Sequence, residues 1–310
     1  MPDRALCILR SSYQGTSSAF SQHDPAMDPA RFLPGWRLDT VLVCKRTARE
    51  QLGRLAGAGY DAFINLCDGA ADEETAGIEV VRELERLGLP FTGARSDFYE
   101  PTRAAMKEAC AAAGVPAPAA APAALRFPLI VKHPNSYGSV GLHRGSRVDD
   151  EPALRREVAR MTAAHGAALI EEYIDGREFS VLVVENPDDA RRPLALKPVE
   201  LLFPPGESFK HFDLKWIDHE GITHRPTGDP ALDERLMDLS RRLFVALNGS
   251  GYGRCDLRMD RDGRLFMLEI NPNCGVFYPE DAAGTADLIL LHDPLGHAGF
   301  VELILRAARG

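Results

Sequence analysis

The segment Gly253–Asn271, GRCDLRMDRDGRLFMLEIN, restricts the fold of this chain more than any other stretch. Asp262-Gly263 sits between two runs of alternating polar and apolar residues, which signals a two-residue β-hairpin turn. With Arg261 opposite Arg264, Asp256 stands opposite Glu269 and Arg254 opposite Asn271. The pairs Cys255/Ile270, Leu257/Leu268 and Met259/Phe266 then form one apolar, core-facing side. The other side presents two carboxylates and an amide within reach of one another. Like charges directly opposite each other destabilise a sheet unless something neutralises them. Magnesium suits that task, since it takes one or two carboxylates and leaves room for substrate phosphates. Asp256, Glu269 and Asn271 are therefore a candidate Mg²⁺ platform; an acidic face paired with Arg254 and Arg258 is the structural alternative.

The remaining segments set this hairpin in an α/β frame built of α+β subdomains. Residues 5–9 (ALCIL) and 40–44 (TVLVC) read as buried parallel strands, and 61–66 (DAFINL) as a third. Helices are predicted near 47–58 and over 77–88, the second with Ile78, Val81, Leu84 and Leu87 on one stripe and Gly88 ending it. This alternation predicts an open α/β domain over residues 1–100. A helix at 102–113 ends at Gly114, and the Ala/Pro stretch 115–125 reads as a semi-rigid connector. Strands follow at 127–133, 168–174 and 178–184, with a helix behind the Asp150 cap carrying Leu154, Val158 and Met161. The expected division is 1–100, 101–175 and 176–310. Residues 203–230, rich in Pro, Gly, His and Asp, read as one long functional loop.

Composition narrows the function. Among 310 residues, 36 Lys and Arg face 45 Asp and Glu, a net charge of −9. That leaves no basic excess to release phosphate counterions, so a nucleic-acid partner is not expected. No run approaches the ~20 apolar residues of a membrane span, so the expectation is a cytoplasmic protein with no membrane partner. Six cysteines are scattered singly without a C-x-x-C pair and read as reduced, mostly buried thiols. The nine histidines lack paired metal spacing and read as surface or loop groups. Lys210, Lys215 and Trp216, taken alone, read as a solvated lysine pair beside a packed indole.

The segment VKHPNSYGSVGL (131–142) delivers Lys132 on an apolar strand into a loop containing Gly138-Ser139-Val140-Gly141. Such loops wrap backbone N–H groups around phosphates, although an ordinary hairpin turn has the same composition. The P-loop and dinucleotide fingerprints are both missing.

In order, the strand-borne lysine and Gly/Ser loop, the E-E-Y-I-x-G-x-E connection (171–178) and the D…E-x-N hairpin resemble the ATP-grasp superfamily. Within it the likeness is to D-alanine–D-alanine ligase and related carboxylate–amine ligases, from about Asn65 to Gly275. The resemblance implies an ATP-grasp fold, with a nucleotide held between a central lid-like subdomain and a C-terminal one. It places Lys132 and Lys215 on the phosphates and Ser139 in the phosphate loop. Arg103 takes the position of a nucleotide-binding lysine, with Lys107 as the alternative. Glu171 is implied on the adenine amino group, the backbone of Glu172, Tyr173 and Ile174 along the base, and Glu178 on the ribose. Asp256, Glu269 and Asn271 match ligands of two Mg²⁺ ions, with Mn²⁺ a possible substitute, and Arg254 and the Gly275 N–H match oxyanion stabilisers. A homodimer has only the relatives behind it.

Departures from the family pattern matter for the substrate. The family's N-terminal glutamate in a Ser-x-Glu context has no counterpart before Glu50, its His-Gly is Asp68-Gly69, and Cys274 replaces a proline. One serine of the phosphate loop is missing, and Trp216 replaces the tyrosine after the lid lysine. The expected function is an ADP-forming ligase that joins a small-molecule carboxylate to an amine through an acylphosphate. The substrate is expected to be an amino acid or small peptide other than D-alanine. An ATP-grasp small-molecule kinase and a non-catalytic nucleotide-binding scaffold are the competing readings. No general base is evident; Asp68, Glu73 and Glu74 fall on the substrate side, where an acidic helix start is an equally good account.

Overall fold

The structure, a computed structural model, describes residues 4–18, 21, 24–120, 126–135, 139–216 and 221–308, the side chains of residues 215 and 216 excepted. Strands β1 (Ala5–Ser11), β2 (Arg37–Val43) and β3 (Ala62–Leu66) form a parallel sheet in the order β2-β1-β3. The central strand is apolar on both faces, as a covered parallel strand must be. The second strand is less buried than expected. It begins at Arg37, pairs on one side only, and buries only Val43 fully, because it is the sheet edge. Helices α1 (Ala48–Leu55) and α2 (Ile78–Leu87) cover one face. Ile78, Val81 and Leu84 are buried as predicted, and Gly88 closes α2 at φ +65°, a left-handed turn that glycine adopts without steric cost.

Helix α3 (Arg103–Ala112) leads to the Ala/Pro connector, which is pinned to the elements on either side. Met267 N–H donates to the Pro116 carbonyl at 2.7 Å and Glu172 N–H to that of Ala119 at 2.9 Å. Residues 121–125 of the connector lie outside the described residues. A small antiparallel sheet follows: β4 (Leu129–Lys132), β5 (Arg147–Val148) and β6 (Leu169–Glu172), in the order β5-β4-β6. It is backed by α4 (Glu151–His165), whose first turn is capped by Asp150 Oδ1 accepting from Ala153 N–H at 2.8 Å.

The largest sheet contains β7 (Gly176–Val184), β8 (Leu194–Ala195), β9 (Val199–Leu202), β10 (Thr223–Pro226), β11 (Tyr252–Asp260) and β12 (Leu265–Pro272). Its order is β10-β9-β7-β11-β12, with β8 beside β7. The expected 203–230 loop is therefore not irregular throughout: it holds helix α5 (Phe212–Trp216) and strand β10, paired with β9. Helix α6 (Pro230–Ala246) packs on one face of the sheet. Helices α7 (Thr285–His292) and α8 (Gly296–Ala307) cover the other, in a core shared with β1 and β3. That shared core joins the first strand of the chain to its last helix. Among the described residues no single helix is long and apolar enough to cross a membrane. The bent pair α7–α8 passes that test together, and most of its apolar residues are packed in the core, with Leu291 exposed.

Candidate active site

The hairpin β11–β12 places Asp256 opposite Glu269 and Arg254 opposite Asn271, as predicted, by a different route. The turn is a three-residue loop: Asp260 N–H donates to the Arg264 carbonyl at 2.9 Å, and Gly263 sits at φ +79°. That loop shifts the register by one. A bulge between Asp256 and Leu257 shifts it back, so Leu257 faces Met267 and Met259 faces Leu265. The expected core pairs Leu257/Leu268 and Met259/Phe266 do not form. Leu268 turns out of the core and lines the cleft beside Glu269.

The carboxylates are compensated by cations on the same face. Arg254 grips Asp256 with both forks, Nε to Oδ1 at 2.9 Å and Nη2 to Oδ2 at 2.8 Å, and Ser180 Oγ donates to Oδ1 at 2.6 Å. Burial opposes the charge on Asp256, but Arg254 outweighs it and holds the carboxyl below the usual range. Arg103 Nη1 lies 2.9 Å from Glu269 Oε2. Asn271 Nδ2 lies 3.1 Å from Asp256 and 3.4 Å from Glu269. Two carboxylates and the Asn271 amide gathered this closely fit Mg²⁺, with the amide turned to offer its oxygen and phosphate completing the shell.

A narrow cleft runs from this face to the central sheet. Lys132, Ser139, Glu172, Tyr173, Ile174 and Glu178 line it together with Arg103, Arg254, Asp256, Glu269 and Asn271, eleven residues that the sequence assigned to one site. Glu171 lies beneath that lining. It is 2% exposed, on the same face of the small sheet as Ile130 and Lys132, with Lys132 Nζ at 2.7 Å and Lys107 Nζ at 2.6 Å. Burial alone raises a carboxyl's pKa; the two ammonium groups overcome it and hold Glu171 at about 2. Lys107 is thus the partner of Glu171, and Arg103 is the cation in the cleft. Arg258, 3% exposed, pairs with Glu178 at 2.9 Å and donates to the Ile174 carbonyl at 2.7 Å. Residues 136–138 of the Gly/Ser loop lie outside the described residues, as does the Lys215 side chain.

Beyond Arg254 and Asn271 the cleft meets a larger cavity of about 380 Å³, which Gly275 lines. A side chain at Gly275 would meet the Tyr278 hydroxyl at 2.4 Å, so the chain approaches this wall as bare backbone. The far wall is polar: Tyr13 and Tyr278 both donate to Asp24, at 2.7 and 3.1 Å, near Asp68 and Glu73. Glu73 does not open a helix; α2 starts at Ile78, and Glu73 Oε2 accepts from Ala70 N–H at 3.0 Å. Glu74 is bound to Ser17 instead. Cys274 lines the cavity, and burial pushes its thiol up to about 12. Sequence reasoning missed Lys210, which lines both cavities instead of being solvated, and His224, which burial and nearby Lys210 and Arg254 depress to about 3. It also put too many histidines at the surface: His133, His211 and His297 are buried.

Comparison with known proteins decides the family. The model for the D-ala D-ala ligase C-terminus matches residues 99–278, more than half of the chain. The chain belongs to the D-ala D-ala ligase C-terminus family. Family membership makes it an ATP-dependent, ADP-forming ligase of the ATP-grasp type. It is 29% identical over 243 residues to the D-alanine–D-alanine ligase of Pseudomonas entomophila, covering 73% of this chain and 71% of that one. The Bordetella petrii ligase is 28% identical over 245 residues, covering 74% and 72%. Solved ligase structures share the fold. That from Bacillus anthracis complexed with ATP gives a TM-score of 0.69 at 18% identity, covering 100% of this chain and 98% of that one. The VanG D-Ala:D-Ser ligase from Enterococcus faecalis gives 0.69 at 13%, covering 99% of each.

Proposed function

We propose that this family member activates a small-molecule carboxylate as an acylphosphate and joins it to an amine, and that its substrate is a polar amino acid or small peptide other than D-alanine. The observation that carries this reading is the wall of the larger cavity. Tyr13, Asp24, Asp68, Glu73 and Tyr278 make it polar and acidic. A methyl side chain leaves such groups without new partners, and each buried polar group stripped of water without a hydrogen bond costs about 1–3 kcal/mol. A substrate bearing its own donors meets them. The VanG neighbour, titled a D-Ala:D-Ser ligase, is compatible with a fold that takes amino acids besides alanine.

In this reading ATP lies in the cleft, with its phosphates toward Lys132, Arg103 and the loop at Ser139, and its base along Glu172–Ile174. Asp256, Glu269 and Asn271 would hold Mg²⁺, which when bound offsets charge on the phosphates. A carboxylate oxygen from the larger cavity attacks the γ-phosphorus as its bond to the β–γ bridging oxygen breaks, releasing ADP. The amine nitrogen then attacks the acyl carbon, phosphate leaves, and the nitrogen gives up its proton. Arg254 and the Gly275 N–H face the carbon under attack and stabilise the oxyanion, each donor worth on the order of 3 kcal/mol. The segment around Ser208–Phe212, docked on Ser139 and Leu142, keeps water from the acylphosphate. We also infer the division 1–100, 101–175 and 176–310, with the nucleotide between the last two parts.

The test is ADP release from Mg·ATP across a panel of amino acids and dipeptides. Release at background with D-alanine alone, and well above it with a polar acid, is the expected result. Efficient release with D-alanine alone contradicts the substrate assignment.

A further inference from the structure

Three described residues line both the nucleotide cleft and the larger cavity: Arg254, Asn271 and Lys210. The first two have roles in the reading above, on which this inference rests. Lys210 has none. Its backbone is held from several sides: Ser139 Oγ donates to the Lys210 carbonyl at 3.0 Å, Phe212 N–H to that of Leu142 at 3.0 Å, and Tyr173 to that of Ser208 at 2.7 Å. Phe209 is buried against Ile130 and Tyr173. The side chain is thus aimed by a docked segment, not carried on a free loop. Its ammonium has three N–H donors, and among the described residues its one hydrogen-bond partner is Thr285 Oγ1 at 3.4 Å, a long contact. Burial and then Arg254 push its pKa below the ordinary lysine value, while Asp256, Glu178 and Glu269 pull it back, so the ammonium stands among the charged groups at the junction of the two cavities.

We propose that Lys210 is a further catalytic residue, contacting at once the transferring phosphoryl group and the carboxylate that attacks it. The phosphoryl group crosses from the cleft to the larger cavity, and Lys210 stands at that junction with donors to spare. A cation shared by the two anions reduces their mutual repulsion on approach, an interaction that strengthens as charge gathers in the transition state.

The probe is orthovanadate, a mimic of the phosphoryl group in transfer, with MgADP. The purified chain, Lys210→Met and Lys210→Arg are compared for ADP affinity with and without vanadate, and for hydroxamate formation from the acid panel with hydroxylamine. We expect Lys210→Met to bind MgADP within about threefold of wild type. It should lose the tightening by vanadate at least about tenfold and form hydroxamate about 10²–10³-fold more slowly, with Lys210→Arg recovering part of both. A merely structural role moves ADP affinity and vanadate response together. Equal losses of the two, or a Lys210→Met variant that traps hydroxamate at the wild-type rate, overturn the inference. A wild-type protein with neither vanadate response nor hydroxamate on any acid overturns the ligase reading, and this inference with it.

Discussion

Asp256 is the more tightly held of the two carboxylates on the hairpin face. It is fixed by Arg254 and Ser180 and lies beside Asn271. Asp256→Asn is expected to lower turnover by at least about 10²-fold while the protein still unfolds cooperatively, at a lower temperature because Arg254 loses its bidentate counterion. A variant with wild-type turnover refutes the metal-ligand role. Glu171 makes a different prediction, about stability. Its folded pKa, about 2, lies below its ordinary value of 4.5, so its contribution is present above that ordinary value and lost as pH falls toward 2. Denaturant titrations through this window should show Glu171→Gln less sensitive to acid than wild type. At neutral pH the variant should be less stable by about 3–5 kcal/mol, because Lys107 and Lys132 keep their buried charges without a counterion. Equal acid sensitivity of the two proteins contradicts the assignment. Most of these side chains were legible from residue type and spacing. Glu171 shares a sheet face with the cleft-lining Ile130 and Lys132, but its ion pair with Lys107 was not readable from a four-residue strand. Lys210 was missed because nothing local to 203–216 reveals that Ser139 and Leu142 hold that segment down.

At the scale of elements, the hairpin is the instructive case. The predicted two-residue turn is a three-residue loop, and a bulge that the sequence did not announce cancels its register shift, so Asp256 still meets Glu269. Alternating hydrophobicity reports which face a residue occupies, not how many residues the turn consumes. The bulge has its own consequence: Leu268 and Glu269 both turn toward the cleft, giving it an apolar surface beside the acid. Leu268→Ala should weaken MgADP binding by about 1–3 kcal/mol, measured by calorimetry, with the fold unchanged. Binding unaltered by that truncation places the nucleotide elsewhere. Gly263→Val should cost about 1–2 kcal/mol in urea unfolding, since a β-branched residue resists the left-handed conformation of the turn. No change there contradicts the turn geometry.

Across the whole molecule, the segments that follow β1 and β3 of the parallel sheet supply one wall of the larger cavity, and the C-terminal sheet helps to supply the other. The shared core of β1, β3, α7 and α8 fixes the spacing between them. Family resemblance covers the nucleotide half, while the departures at Asp68, Cys274 and the segment before Glu50 cluster on the substrate half. The reaction itself is tested most directly by following oxygen. The acid that best drives ADP release is labelled with ¹⁸O in its carboxylate, and the phosphate released on coupling to the amine is analysed by mass spectrometry. An acylphosphate route predicts one labelled oxygen transferred to each phosphate. Phosphate free of label, with product formed, contradicts it.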